Sequence, residues 1–144
     1  MDINFTYKGN FPLPKKQTEF SAGLDLFNND EIPVEILPHK SAIINTGFFV
    51  EIPEGYVGLL FARSSLGFKL DCTLANSVGV IDSDYRGEVK AKIINHSNFT
   101  VAIQPNERMA QLVIVPILNC NFNHVDKLSD TERGEGGFGS TGKI

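Results

Sequence analysis

The sequence contains no tryptophan, and cysteine and methionine occur only twice each. Cys72 and Cys120 stand far apart and form no Cys-x-x-Cys pair, so they predict reduced packing thiols rather than a disulfide framework. His39, His96 and His124 have neither His-x-x-x-His spacing nor cysteine companions, and no metal site built from side chains is expected. No apolar run approaches the ~18 residues of a bilayer span, so no membrane partner is expected. The opening MDINFTYKGN lacks the basic and apolar regions of a secretory leader. Together these absences predict a cytoplasmic protein, or one of the host cytoplasm or nucleus if the source is viral. Positive charge is scarce as well: 13 Lys and Arg stand against 17 Asp and Glu, for a net charge of -4. That balance argues against a general nucleic-acid binder, which usually shows a basic face.

What remains is ordinary globular material. Hydrophobic residues make up 42% of 144, enough for one core in one domain. The periodicity is that of strands. Residues 41–52 (SAIINTGFFVEI) read as one strand ending at Pro53-Glu54-Gly55, with 56–61 (YVGLLF) as its hairpin partner. Further strands are expected at 4–7, 35–37, 88–94, 100–103 and 110–117. In 88–94, Val89, Ala91 and Ile93 alternate with Lys90 and Lys92, the pattern of a half-buried antiparallel strand. The best helical stretch is short, 64–68. Many short strands between turn signals predict an all-β antiparallel jelly roll or distorted barrel with one short helix.

The C-terminus differs in kind. Residues 133–144 read RGEGGFGSTGKI, and the expected division is a β domain over 1–132 followed by a flexible glycine-rich arm over 133–144. Glycine loses the most conformational freedom on ordering, so such an arm is expected to settle only on a ligand. It matches a dinucleotide fingerprint and nearly matches a P-loop, but both motifs must lead into a helix and the given sequence ends one residue after Lys143. Its chemistry still suits a polyanion: serial backbone N–H groups, the hydroxyls of Ser140 and Thr141, the guanidinium of Arg133, and the flat face of Phe138.

Four internal stretches accompany the arm: Ala22-Gly23-Leu24-Asp25-Leu26, Ala62-Arg63-Ser64-Ser65-Leu66, the run from Asn76 to Glu88, and Arg108-Met109-Ala110-Gln111. Each alone has a plain structural explanation. In order and spacing, with the tail, they resemble the five motifs of trimeric dUTP diphosphatases (dUTPases), GVIDSDYRGE and RGEGGFGSTG most specifically. Ser65 stands where that family often has Gly, and Met109 where Ile is usual.

The resemblance implies a jelly roll, hydrolysis of dUTP to dUMP and pyrophosphate, Mg²⁺ held mainly by the triphosphate and water, and a homotrimer with sites at subunit interfaces. It assigns Asp82 to activating the water that attacks the α-phosphorus. Asp25 would act through an ion pair that orients an arginine the sequence does not identify. Arg63, Ser64, Ser65 and Gln111 would bind the α- and β-phosphates, and Arg133, Gly139, Ser140 and Thr141 the γ end. A hairpin from Asn76 to Tyr85 would select uracil through Asn76, Gly79, Val80 and Ile81, with Tyr85 against the deoxyribose, Lys90 near the nucleotide and Phe138 stacked over the base. Two other readings stand beside this one: a dCTP deaminase, which the Arg63-Ser64-Ser65-Leu66 run resembles slightly more, and a nucleotide-responsive regulator with an unknown protein partner.

Overall fold

The computed structural model describes residues 1–137. Eleven strands and one helix occur among them: β1 (Asn4–Tyr7), β2 (Leu24–Phe27), β3 (Val34–Ile36), β4 (Ser41–Ile44), β5 (Phe48–Glu51), β6 (Tyr56–Ala62), α1 (Ser64–Leu70), β7 (Cys72–Leu74), β8 (Gly79–Ile81), β9 (Ala91–Asn95), β10 (Val101–Ile103) and β11 (Arg108–Pro116). The strands form sheets in the orders β2-β11-β6-β8, β4-β9-β7, β1-β5 and β3-β10, and every pair is antiparallel. The all-β architecture with one short helix is as the strand pattern predicts.

Short strands with one apolar face must bury that face against another sheet. Leu26, Ile36, Ile44, Phe48, Leu60 and Ile93 do so in one core, each nearly inaccessible. Full burial of each such side chain contributes about 1.5–3 kcal/mol. β9 keeps the expected alternation, with Ala91 and Ile93 buried and Lys92 exposed. Its ladder begins late, because the Val89 N–H bonds the Phe48 carbonyl at 2.8 Å outside it.

Residues 41–52 are not one strand, and they do not form a hairpin with 56–61. The run breaks at Asn45-Thr46-Gly47, where Gly47 takes φ +65 and a side chain would strike the Lys8 carbonyl and Asn29. The break sends β4 to β9 and β5 to β1, while β6 pairs with β11 and β8. The Tyr56 N–H still closes a turn on the Pro53 carbonyl, so the turn signal holds where the pairing does not. The helix runs to Leu70, longer than expected, and stops where Asp71 turns left-handed (φ 50, ψ 40) and returns its N–H to the Leu66 carbonyl.

Candidate active site

β11 lies between β2 and β6, which sets Gln111 opposite Asp25 on one side and Phe61 on the other. A register shift between Arg108 and Ala110 interrupts the β2 pairing. The buried Asp25 carboxylate pairs with two guanidiniums at once: Arg63 Nε lies 3.3 Å from Oδ1, and Arg108 Nη1 donates to Oδ2 at 3.1 Å. Arg63 is anchored further by its own N–H on the Met109 carbonyl at 2.9 Å. The arginine that Asp25 orients is therefore a pair. Arg108 is the member that sequence reasoning left out of the site, although it opens the same motif as Gln111.

One carboxylate neutralises one of the two guanidiniums, leaving a net positive charge for an incoming anion. The hollow beside this trio, about 270 Å³, is lined by Gln17, Ser21, Asp25, Arg63, Ser64 and Gln111 among others. Ser64 opens α1 and is exposed; Ser65 follows in the same turn, half-buried, and is not part of the lining.

A second region forms where β7 passes to β8. The expected hairpin is not one: β7 pairs with β9 and β8 with β6, so the chain crosses between sheets. The Ser77 N–H closes a turn on the Leu74 carbonyl at 3.0 Å, with Ser77 itself at φ 61. Gly79 is buried, and a methyl there would sit 3.1 Å from Leu60 Cβ. Packing against β6 thus crowds a side chain at this position; its φ lies outside the left-handed range.

Asn76, Gly79, Val80, Ile81 and Lys90 line a hollow of about 420 Å³, and Val80, Ile81, Asp82, Tyr85 and Lys90 line an adjoining one of about 250 Å³. Val80, Ile81 and Lys90 belong to both, so the two are continuous. Asp82 leaves the end of β8 into a turn closed by the Tyr85 N–H on its carbonyl at 3.2 Å. Its carboxylate is exposed and accepts no hydrogen bond from another described residue. The Tyr85 hydroxyl donates to the Glu88 carbonyl at 3.0 Å, and the Lys90 ammonium lies 3.4 Å from the Glu88 carboxylate.

The two adjoining hollows and the arginine groove share no lining residue. Arg133 lines none of them; it is exposed and donates from Nε to the Gly136 carbonyl at 2.8 Å. Phe138, Gly139, Ser140 and Thr141 lie outside the described residues. Among the described residues no three His, Cys, Asp or Glu side chains gather where they could hold a metal ion. A larger hollow of about 480 Å³, between β1 and β5, contains none of the predicted site residues.

Comparison with known proteins shows the family of the chain. The family model described as dUTPase matches residues 9–142. The deoxyuridine 5'-triphosphate nucleotidohydrolase of Nautilia profundicola is 47% identical over 91% of this chain and 91% of its own length. That of Picosynechococcus sp. is 46% identical over 90% of each. Among solved structures, the dUTPase of Staphylococcus bacteriophage 80alpha with dUpNHpp superposes with a TM-score of 0.87 at 31% identity, covering 98% of both chains. That work describes phage dUTPases as controlling transfer of virulence genes by a proto-oncogenic G protein-like mechanism.

Proposed function

The chain belongs to the dUTPase family, with its jelly-roll fold, and from that premise we propose that it is a dUTP diphosphatase, cleaving dUTP to dUMP and pyrophosphate. The reading rests on one observation above others: the Asp82 carboxylate is exposed, accepts no hydrogen bond from another described residue, and lines, with Val80, Ile81, Tyr85 and Lys90, a hollow that adjoins the one at Asn76. A carboxylate without a competing donor can orient a water and take its proton, a role worth roughly 10²–10⁴ in rate. The attack falls on the α-phosphorus, and the leaving group is pyrophosphate.

The base occupies the hollow lined by Asn76, Gly79, Val80 and Ile81. The polar groups of Asn76 and the backbone of Val80 and Ile81 face the uracil edge, and the Tyr85 ring lies where a 2′-hydroxyl would collide. Lys90, shared by both hollows, faces the α-phosphate side. Arg63, with Ser64, Ser65 and Gln111, binds the α- and β-phosphates, and the Asp25 carboxylate fixes the plane of the Arg63 guanidinium. Bidentate arginine–phosphate contacts need that fixed plane.

Mg²⁺ belongs to the substrate complex in this reading, since the described side chains offer no cluster to hold it; bound to phosphate oxygens it supplies charge neutralisation. Within one chain the arginine groove and the base-facing hollows share no lining residue, which suits a site assembled between copies, as in the homotrimer that the resemblance implies. Residues 133–144 act as an arm whose Arg133, Gly139, Ser140 and Thr141 meet the γ end while Phe138 covers the base. Such an enzyme works in the cytoplasm, keeps uracil out of DNA and supplies dUMP for dTMP synthesis. No described helix is long and apolar enough to cross a membrane.

Pyrophosphate release from dUTP, dTTP, dCTP and UTP, with and without Mg²⁺, tests the assignment. Release from dUTP alone is expected; ammonia from dCTP would mark a deaminase instead. The description of the phage 80alpha relative favours a second reading, in which the same site also signals nucleotide occupancy to a protein partner. An Asp82→Asn variant that keeps partner control while losing turnover would separate the two roles.

A further inference from the structure

Tyr85 is exposed, yet its ring is not free. It folds back over Gly87, where any side chain would collide with Tyr85 Oη and Cζ. Its hydroxyl ends on the Glu88 carbonyl at 3.0 Å. The backbone that offers this carbonyl is fastened in turn. One oxygen of the Glu88 carboxylate accepts from the Gly47 N–H at 2.8 Å and the Thr46 N–H at 3.1 Å, in the break between β4 and β5. The other oxygen lies 3.4 Å from the Lys90 ammonium. The Glu88 side chain is only 18% exposed, so these contacts meet little competition from water.

We propose that Gly87 and Glu88 are positioning residues: Gly87 provides the seat for the Tyr85 ring, and Glu88 fixes both that seat and Lys90 against the Thr46-Gly47 turn. Gly87 lines neither hollow and Glu88 lines the smaller one beside Tyr85; both act through Tyr85 and Lys90, the residues assigned above to sugar and phosphate. The inference rests on the proposed dUTPase reading for its consequence, which is discrimination between deoxyribose and ribose. A ring displaced by about 1 Å admits a 2′-hydroxyl more readily, and misplacements of that size can change rates by as much as 10²-fold.

The test compares kcat/KM for dUTP and UTP in the wild type, Gly87→Ala, Glu88→Ala and Glu88→Gln. The dUTP-to-UTP ratio is expected to fall roughly 10- to 100-fold in Gly87→Ala and Glu88→Ala. Glu88→Gln keeps an acceptor for the Thr46 and Gly47 N–H groups and should retain most of the ratio. Should Glu88→Ala fail to fold, Gly87→Ala, which leaves the carboxylate in place, decides alone. A wild-type ratio in the folded variants overturns the proposal.

A second readout needs no turnover. With 3-fluorotyrosine incorporated, the ¹⁹F resonance assigned to Tyr85 through Tyr85→Phe should shift in Gly87→Ala and Glu88→Ala and return in Glu88→Gln. An unshifted resonance overturns the proposal. Wild-type protein that leaves dUTP intact would instead contradict the proposed function, and the ¹⁹F arm would still decide this one.

Discussion

In the groove beside β11, charged groups hold one another: Asp25 lies within reach of Arg63 and Arg108, and all three are carried by or adjoin strands of the four-stranded sheet. Along the stretch from Asn76 to Lys90, turns and the side chains of Tyr85, Arg86 and Glu88 fix the chain, while the Asp82 carboxylate accepts no hydrogen bond from another described residue. The first region holds its cations in place so that they can meet a polyanion without reorganising. The second leaves one carboxylate uncommitted, as the proposed proton transfer from water requires. Changes in the first should therefore affect folding and activity together, and a change at Asp82 in the second should affect activity alone.

The largest expected effect is Asp82→Asn. Turnover of dUTP should fall by roughly 10²–10⁴ with the melting temperature and nucleotide affinity nearly unchanged. A parallel loss of stability would break the contrast. Deleting residues 133–144 should likewise cut turnover by several orders of magnitude, because closing steps exclude water and complete the site. The melting temperature should hardly move, and equal activity in the truncated form would remove the arm from the mechanism.

Tyr85→Ala should erode the dUTP-to-UTP preference by one to two orders of magnitude, in line with the loss of a positioned contact. An unchanged ratio would take Tyr85 out of sugar selection. Asp25→Asn should behave differently. It removes the shared partner of two arginines that are 28% and 42% exposed, so about 1–3 kcal/mol of stability should be lost with the activity. Thermal unfolding beside the kinetic assay checks this; lost activity at full stability would show that the trio serves binding only.

The smallest effect concerns neither region. Burial, with Asp71 beside it, pushes the Cys72 thiol up, while Cys120 is exposed. A thiol reagent should label Cys120 in the native protein and reach Cys72 only in denaturant. Rapid labelling of both would mean that the core around β7 opens readily.

Sequence reading reached what depends on local pattern. The Val89–Ala91–Ile93 alternation showed a half-buried strand, and Arg63-Ser64-Ser65 marked a helix start. It failed where pairing is set from afar. The Ser41 to Ile52 run looks continuous because its β-branched and aromatic residues are, and only Gly47, packed against the distant Lys8 carbonyl, reveals the break. β2, β7 and β8 are too short, and too interrupted by Asp, Thr or Gly, to show a period of two. Within the site, Asp25 was legible as a residue acting on an arginine. That it holds two could not be read, because Arg63 and Arg108 converge only when β2 and β6 flank β11. Gly79 was assigned to uracil selection, and its contact with Leu60 on β6 depends on a pairing the sequence does not show.

The central claim is that water guided by Asp82 attacks the α-phosphorus. Hydrolysis of dUTP in ¹⁸O-enriched water tests it most directly. The account predicts the label in the dUMP phosphate, unlabelled pyrophosphate, and neither product from Asp82→Asn on the same timescale. Label in the pyrophosphate, or undiminished hydrolysis by the variant, would contradict it.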